Sequence, residues 1–546
     1  MYKVLVTDGI SDTGLKSLFN HPDFLIERQP TIPEEELIKI IGKYDALIVR
    51  SQTKVTEKLL KFADHLRIIA RAGVGVDNID VNAATKKGII VINAPGANTI
   101  AATEHTLAMM LSLARKIPQA YVTTLNGKWD RNSFKGVELY KKTLGVIGMG
   151  KIGVEVAKRA KSFGMNILGF DPYLSEERAE KLGITKASLD KIASESDFIT
   201  VHTPLTNETR GLINEDYLRK TKKGVRLINC ARGGIIDEEA LVEAIQSGHV
   251  AGAALDVFEQ EPVANPELLQ NPNIIITPHL GASTVEAQEK VAEEVSAEII
   301  EIFESGSIHN AVNMPQMSGE AQKKMKPYLL LGDQLGRLVL QLFKQAPAKI
   351  EINYYGELIV EDTDLLTRTM IKGILSHHLS DSVNLINIFH LLKEQGVSYN
   401  VQKNAANIGF ANYLELIVTQ GNETASIGAT VLNGYGARIV KINDYRIDVR
   451  PERNLLYIKH KDIPGMVGKV GSLLGEYLIN IGTMQVGRST IGGEAIMVLT
   501  LDKKLKEDVV QSLTSINGLD EAQFLELSTV DSIFPGQVEL AMAESL

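Results

Sequence analysis

The sequence predicts an α/β fold in which two doubly wound parallel-sheet domains precede two smaller α+β domains. Three observations lead there. Short apolar runs alternate with helix-length segments from the first residue, the βαβ rhythm of parallel sheets. A glycine-rich turn joins a strand to a helix in the middle of that rhythm. Beyond residue 318 the rhythm gives way to a mixture of helices and strands.

Val4–Thr7, Phe24–Glu27, Ala46–Val49, Arg67–Ala70 and Ile89–Ile92 read as the strands of the first sheet. Leu144–Gly148, Asn166–Phe170, Phe198–His202, Val225–Asn229, Gly252–Asp256 and Ile274–Thr277 read as a second set, enough for a dinucleotide-binding sheet. Between the sets lies an apolar helical stretch, Thr99–Arg115, and another helix is expected near Glu286–Ser305. These make hinges, with the second sheet inserted into the first domain. The expected limits are 1–98 plus 286–315, 99–285, 318–450 and 453–528. A linker is expected at Asn313–Gly319, where Pro, Gly and Ser cluster.

Bulk properties narrow the class. A length of 546 residues is too great for one core, and 44% apolar with 23% charged residues is ordinary for globular protein. The net charge of −9 argues against a general nucleic-acid or membrane-surface binder. One cysteine, Cys230, excludes an internal disulfide and suits a reducing compartment. The opening MYKVLVTDGI reads as a strand rather than a signal peptide, so a cytoplasmic setting is expected. No metal site is expected.

Gly148-Met149-Gly150-Lys151-Ile152-Gly153 fits G-x-G-x-x-G in the confirming context, after the strand LGVIG and at the start of a helix. Its glycines allow the backbone to approach a pyrophosphate at the positive helix terminus. Asp171 ends the next strand, where a carboxylate accepts hydrogen bonds from both ribose hydroxyls and repels a 2′-phosphate. NAD is therefore expected rather than NADP. Three polar residues follow the last three strands of the same sheet: Arg232, Glu261 and His279. Ligands of open α/β sheets bind beyond the carboxyl ends of strands, so the three can converge. Neutral His279 can take a hydroxyl proton as hydride leaves the adjoining carbon. Glu261 can hold the other ring N–H, and Arg232 can grip a carboxylate with its planar donor fork.

NCARGGIIDEEAL (229–241), ALDVFEQEP (254–262) and TPHLGAST (277–284) resemble the signatures of the D-isomer-specific 2-hydroxyacid dehydrogenases. The catalytic Arg, Glu and His of that family fall on Arg232, Glu261 and His279. RSQTKVT (50–56), RAGVGVDNID (71–80) and GKWDR (127–131) resemble its phosphoglycerate dehydrogenase branch. The resemblance implies a flavodoxin-like substrate domain, a Rossmann NAD domain and a homo-oligomer, dimer or tetramer. It implies further NAD contacts from Lys151, Ile152, Thr203, Cys230, Ala231, Asp256, Gly281 and Ala282. It implies substrate contacts from Arg50, Arg71, Val74, Gly75 and Asn98, with Arg131 joining from the same or a neighbouring subunit. Several guanidinium groups in one cleft suit a dianionic phosphate, so 3-phosphoglycerate is the implied substrate.

The last 230 residues exceed what a bare dehydrogenase needs. The region 318–450 is similar to the intervening domain of long phosphoglycerate dehydrogenases, and its run IGATVLNGYGAR (427–438) either binds an anion or makes tight turns. The final βαββαβ order resembles an ACT domain, a small-molecule sensor. By that resemblance His460, Asp462 and Asn480 would hold L-serine across an ACT–ACT interface, giving feedback inhibition. Two other functions stay open: a reductase of unphosphorylated hydroxypyruvate, glyoxylate or lactate, and a non-catalytic NAD-sensing scaffold.

Overall fold

A computed structural model describes residues 1–315, 319–379 and 383–527. The expected linker lies partly outside these residues, at 316–318, as does Ser528 at the expected end of the last strand.

The first sheet comprises β1 (Tyr2–Val6), β2 (Phe24–Arg28), β3 (Ala46–Val49), β4 (Ile68–Arg71) and β5 (Ile90–Asn93), all parallel in the order β2-β1-β3-β4-β5. Helices cover both faces, so Ala46–Val49 is buried at every residue, and a continuous apolar run is what such a strand requires. One face packs on the helix Val285–Ser305 through Val291, Val295, Ile299 and Phe303. That helix follows the last, edge strand of the second sheet, and Thr284 caps it through the Ala287 N–H.

The second sheet holds β6 (Thr143–Ile147), β7 (Asn166–Phe170), β8 (Thr185–Lys186), β9 (Phe198–Val201), β10 (Val225–Asn229), β11 (Val250–Leu255) and β12 (Ile274–Ile276). It is parallel, with the order β12-β11-β10-β9-β6-β7-β8. Strand order reverses between β6 and β9, and this switch point is where a dinucleotide-binding sheet opens its crevice. The helix Thr99–Arg115 leads from the first sheet to the second. The expectation missed β8, whose two exposed residues carry no apolar signal.

The third sheet is mixed: β13 (Lys349–Gly356), β14 (Ser398–Asn404), β15 (Asn412–Gln420), β16 (Glu423–Leu432), β17 (Gly436–Ile442) and β18 (Tyr445–Val449). Their order is β14-β13-β15-β16-β17-β18. The glycine-rich run is the β16–β17 hairpin, and Gly434 and Gly436 supply positive φ at its exposed turn, as a tight turn requires. Two helices, Gly319–Phe343 and Asp364–Leu379, cross this sheet with their backbones nearly touching. A methyl group at Gly336 would stand 2.2 Å from the Met370 carbonyl oxygen. Gly336→Ala is expected to cost about 1–3 kcal/mol, read as a lowered urea midpoint with NADH binding retained.

The fourth sheet, β19 (Asn454–Lys461), β20 (Ile481–Arg488), β21 (Glu494–Leu501) and β22 (Leu519–Glu526), is antiparallel in the order β20-β21-β19-β22. One face packs on the helices Met466–Glu476 and Glu507–Thr514. The other face, with Leu455, Tyr457, Ile496 and Val498, shares one apolar core with the third sheet.

Candidate active site

The carboxyl ends of the first two sheets face one another across a cleft of about 1180 Å³. From the first sheet it is lined by Arg50, Arg71, Val74, Gly75 and Asn98; from the second by Ile152, Thr203, Cys230, Ala231, Arg232, Glu261, His279, Gly281 and Ala282. Fourteen expected residues thus share one cleft although the chain separates them by up to 232 positions.

His279 follows β12 with φ +55°, a left-handed conformation that puts its ring beside Glu261. Its Nδ1 lies 2.9 and 3.2 Å from the two Glu261 carboxylate oxygens. Glu261 also accepts the Phe258 N–H at 3.2 Å. Burial pushes the Glu261 carboxyl up, but the His279 contact and the Phe258 N–H more than offset it, leaving the group below the usual carboxylate range. A carboxylate on Nδ1 leaves Nε2 for the cleft, the arrangement of an acid/base histidine. Arg232 donates from Nε to Asp77 of the facing sheet at 3.0 Å, and from Nη1 to the Ala231 carbonyl at 2.6 Å. Its guanidinium passes over Gly75, where an added Cβ would meet Nη2 at 1.9 Å. Arg71 donates to Asn78 and to the Ala72 carbonyl. Burial first, then repulsion from Arg50 and Arg232, pushes its pKa down to about 10, so it remains charged at neutral pH.

The loop carrying His279 is held from beneath by Asp256, which is fully buried. Its carboxylate accepts from the Leu280 and Gly281 N–H groups at 2.7 and 2.8 Å and from the Thr277 hydroxyl at 2.6 Å. His105, on the hinge helix, completes the set at 3.1 Å. Expected as a cofactor contact, Asp256 instead spends its oxygens inside the protein on the loop that forms the cleft wall. Cys230 is packed nearby, and burial, then Asp256, pushes its thiol up to about 12. Native protein is therefore expected to react with an alkylating reagent at pH 8 at least about 100-fold more slowly than urea-unfolded protein, by thiol titration.

The cofactor crevice lies at the switch point. Gly148 has φ +95°, and a side chain there would meet the His202 carbonyl oxygen at 2.5 Å. A Cβ on Gly153 would stand 2.0 Å from the Gly148 oxygen, so the helix Lys151–Ser162 can start this close to β6 only with glycine. Gly150, its N-cap, has open space instead, the cradle a pyrophosphate would fill. The Thr203 hydroxyl oxygen is buried without a hydrogen-bond partner on this wall. Asp171 directly follows β7 and accepts the Met149 and Tyr173 N–H groups, which fix its carboxylate at the rim. These features fit a dinucleotide, with Lys151, exposed at the first helical position, beside its phosphates.

Two expectations are not met within one chain. Arg131 lies on an exposed segment outside the cleft. His460, Asp462 and Asn480 do not come together: His460 pairs with Ala495 at one end of β21, and Asn480 adjoins Asp502 past its other end. The seven-residue run of β21 separates them by about 23 Å. Spacing in sequence carries no information on sheet order, and β20 lies antiparallel to β21 at the edge. Asp8, Asp77, Asn78, His105 and His202 were missed. The strand-end rule applied to β1 points to Asp8, and RAGVGVDNID contains Asp77 and Asn78. His202 ends the expected strand Phe198–His202, so the same rule points to it; its ring lies 3.0 Å from the Thr200 hydroxyl, and desolvation pushes it down to about 4.

The D-isomer specific 2-hydroxyacid dehydrogenase NAD binding domain matches residues 107–281, and the D-3-phosphoglycerate dehydrogenase intervening domain matches 324–443. Among solved structures, D-lactate dehydrogenase from Escherichia coli is 29% identical with a TM-score of 0.52, covering 57% of this chain and 99% of that one. A formate dehydrogenase from Staphylococcus aureus in complex with NAD gives 29%, 0.52, 57% and 98%. D-3-phosphoglycerate dehydrogenase of Bacillus subtilis is 45% identical over 96% of this chain and 100% of its own length. That of Methanocaldococcus jannaschii is 42% identical over the same shares. Likeness of this extent, running through the intervening domain, makes the chain a member of the D-3-phosphoglycerate dehydrogenase family.

Proposed function

We propose that the protein oxidises 3-phospho-D-glycerate to 3-phosphohydroxypyruvate with NAD, the first step of L-serine biosynthesis. The observation that carries this is the single cleft in which the His279–Glu261 pair faces Arg50, Arg71 and Arg232. Bound NAD supplies the acceptor for the hydride that leaves C2. Nε2 of His279 takes the hydroxyl proton, and the Glu261 carboxylate stabilises the imidazolium that results. Arg232 binds the substrate carboxylate and polarises the reacting oxygen. Arg50 and Arg71 bind the phosphate, with the Val74–Gly75 backbone and Asn98 completing the wall. Gly148–Gly153, Asp171, Thr203, Cys230, Ala231, Gly281 and Ala282 line the cofactor side.

An NADH-formation assay tests this: kcat/KM for 3-phosphoglycerate should exceed that for D-glycerate or D-lactate by at least about 100-fold. Equal values would make the protein a dehydrogenase of unphosphorylated acids.

The same proposal places the protein in the cytoplasm as a homo-oligomer. Among the described residues no helix is long and apolar enough to cross a membrane. Ile117, Tyr121, Val122, Leu125 and Trp129 expose an apolar surface next to Arg131, which supports a second copy seated there and Arg131 reaching its cleft. The separation of Asn480 from His460 and Asp462 supports an L-serine site assembled from two chains. His460 Nε2 is buried without a hydrogen-bond partner, which suits a ligand there. Calorimetric titration with L-serine giving neither heat nor a change in rate would remove this regulatory part. The domain limits proposed are those expected from the sequence.

A further inference from the structure

Asp8 has no part in the chemistry above, yet it lies two residues past β1 at the switch point of the first sheet, between β1 and β3. It is 8% exposed, has φ +63° and borders the cleft. Its Oδ2 accepts the N–H groups of Arg50 and Thr53 at 2.8 and 2.9 Å. Its Oδ1 accepts the hydroxyls of Thr53 and Thr31 at 2.5 and 2.8 Å. Asn78 closes the same turn from the other side, donating to the Arg50 and Thr53 carbonyls at 2.7 and 2.6 Å. Asn78 Oδ1 in turn accepts from Arg71 Nε at 3.2 Å. The peptide of Arg50 is therefore clamped at both its N–H and its C=O, and the clamp reaches Arg71.

A clamp is needed because three like-charged guanidiniums share the cleft and repel one another. Free to move, Arg50 would turn toward water and bind its anion only after being ordered again. Asp8 also opposes that repulsion as a counter-charge. Because its lone pairs are taken by four donors, it does so without capturing a guanidinium that the substrate requires. Burial raises the carboxyl's pKa, but those hydrogen bonds outweigh it and keep the group ionised.

We propose that Asp8 is a positioning residue for substrate selection: it fixes Arg50, and through Asn78 Arg71, in the geometry that receives a doubly charged oxyanion such as a phosphate monoester. This rests on the role given to those arginines under Proposed function.

The test is a double-mutant cycle on the full-length enzyme with Asp8→Asn, Arg50→Ala and the pair, and Thr53→Val as a second probe of the clamp. Asp8→Asn puts an amide where two N–H donors converge, and KM for 3-phosphoglycerate should rise about tenfold. Thr53→Val should raise it about threefold, while KM for NAD changes less than about twofold in both variants. Activity on D-glycerate, which lacks the phosphate, should likewise change less than about twofold. In the Arg50→Ala background, the effect of Asp8→Asn should shrink to about threefold, the part carried through Asn78 to Arg71. A wild-type KM for Asp8→Asn, or an undiminished tenfold effect without Arg50, overturns the proposal. An Arg50→Ala enzyme with wild-type KM overturns the substrate assignment itself, and this proposal with it. If Asp8→Asn does not fold, Thr53→Val and its coupling to Arg50 decide by the same criteria.

Discussion

His279→Ala is expected to lower kcat by about 10³–10⁴-fold while NADH binds within about threefold of the wild-type affinity. The two measurements separate because His279 stands at the cleft end of β12, whereas the cofactor crevice is built at the β6–β9 switch point. Removing the imidazole takes away the group that receives the hydroxyl proton but leaves the glycine turn and Asp171 untouched. Glu261→Gln should be milder, about 10–100-fold, since an amide still contacts Nδ1 but no longer offsets the imidazolium charge. Steady-state rates and fluorescence titration of NADH check both. An alanine variant keeping a tenth of the rate would end the assignment of His279 as acid/base.

Arg71→Ala is expected to raise KM for 3-phosphoglycerate by about 100-fold, with kcat changed much less. The side chain is half-buried, held by Asn78 and the Ala72 carbonyl, so its loss removes both a charge and a planar donor set from the cleft wall. Arg71→Lys should recover only part of the affinity, because a point charge cannot reproduce the guanidinium fork. Inhibition by inorganic phosphate offers an independent measure: Arg71→Ala should weaken it in proportion to KM. An unchanged inhibition constant would move the phosphate away from Arg71.

Much of this architecture is legible in the sequence, for identifiable reasons. Ala46–Val49, Asn166–Phe170 and Val225–Asn229 coincide with their strands, and for Ala46–Val49 the reason is plain, since a parallel strand covered on both faces reads as an uninterrupted apolar run. Arg232, Glu261 and His279 are legible because strand ends of one sheet must lie along one edge. The supports of the site are not. Asp256 and Asp8 act on backbone N–H groups of neighbouring loops, and no spacing of residue types records which loop will lie beside which carboxylate. His105 reads as one polar residue on an apolar helix until the helix is laid against Thr277 and Asp256. Asn480 reads as a partner of Asp462 until β21 is seen to run between them.

The shared core of the third and fourth sheets bears on how the protein can be cut. Leu455, Tyr457, Ile496 and Val498 belong to the fourth sheet but are buried against the third. Expressed alone, the carboxy-terminal module would carry a greasy face into solvent and invite aggregation. A sound truncation therefore falls before residue 319, not between the last two sheets, and the last module, transplanted onto another enzyme, would have to travel with its neighbour.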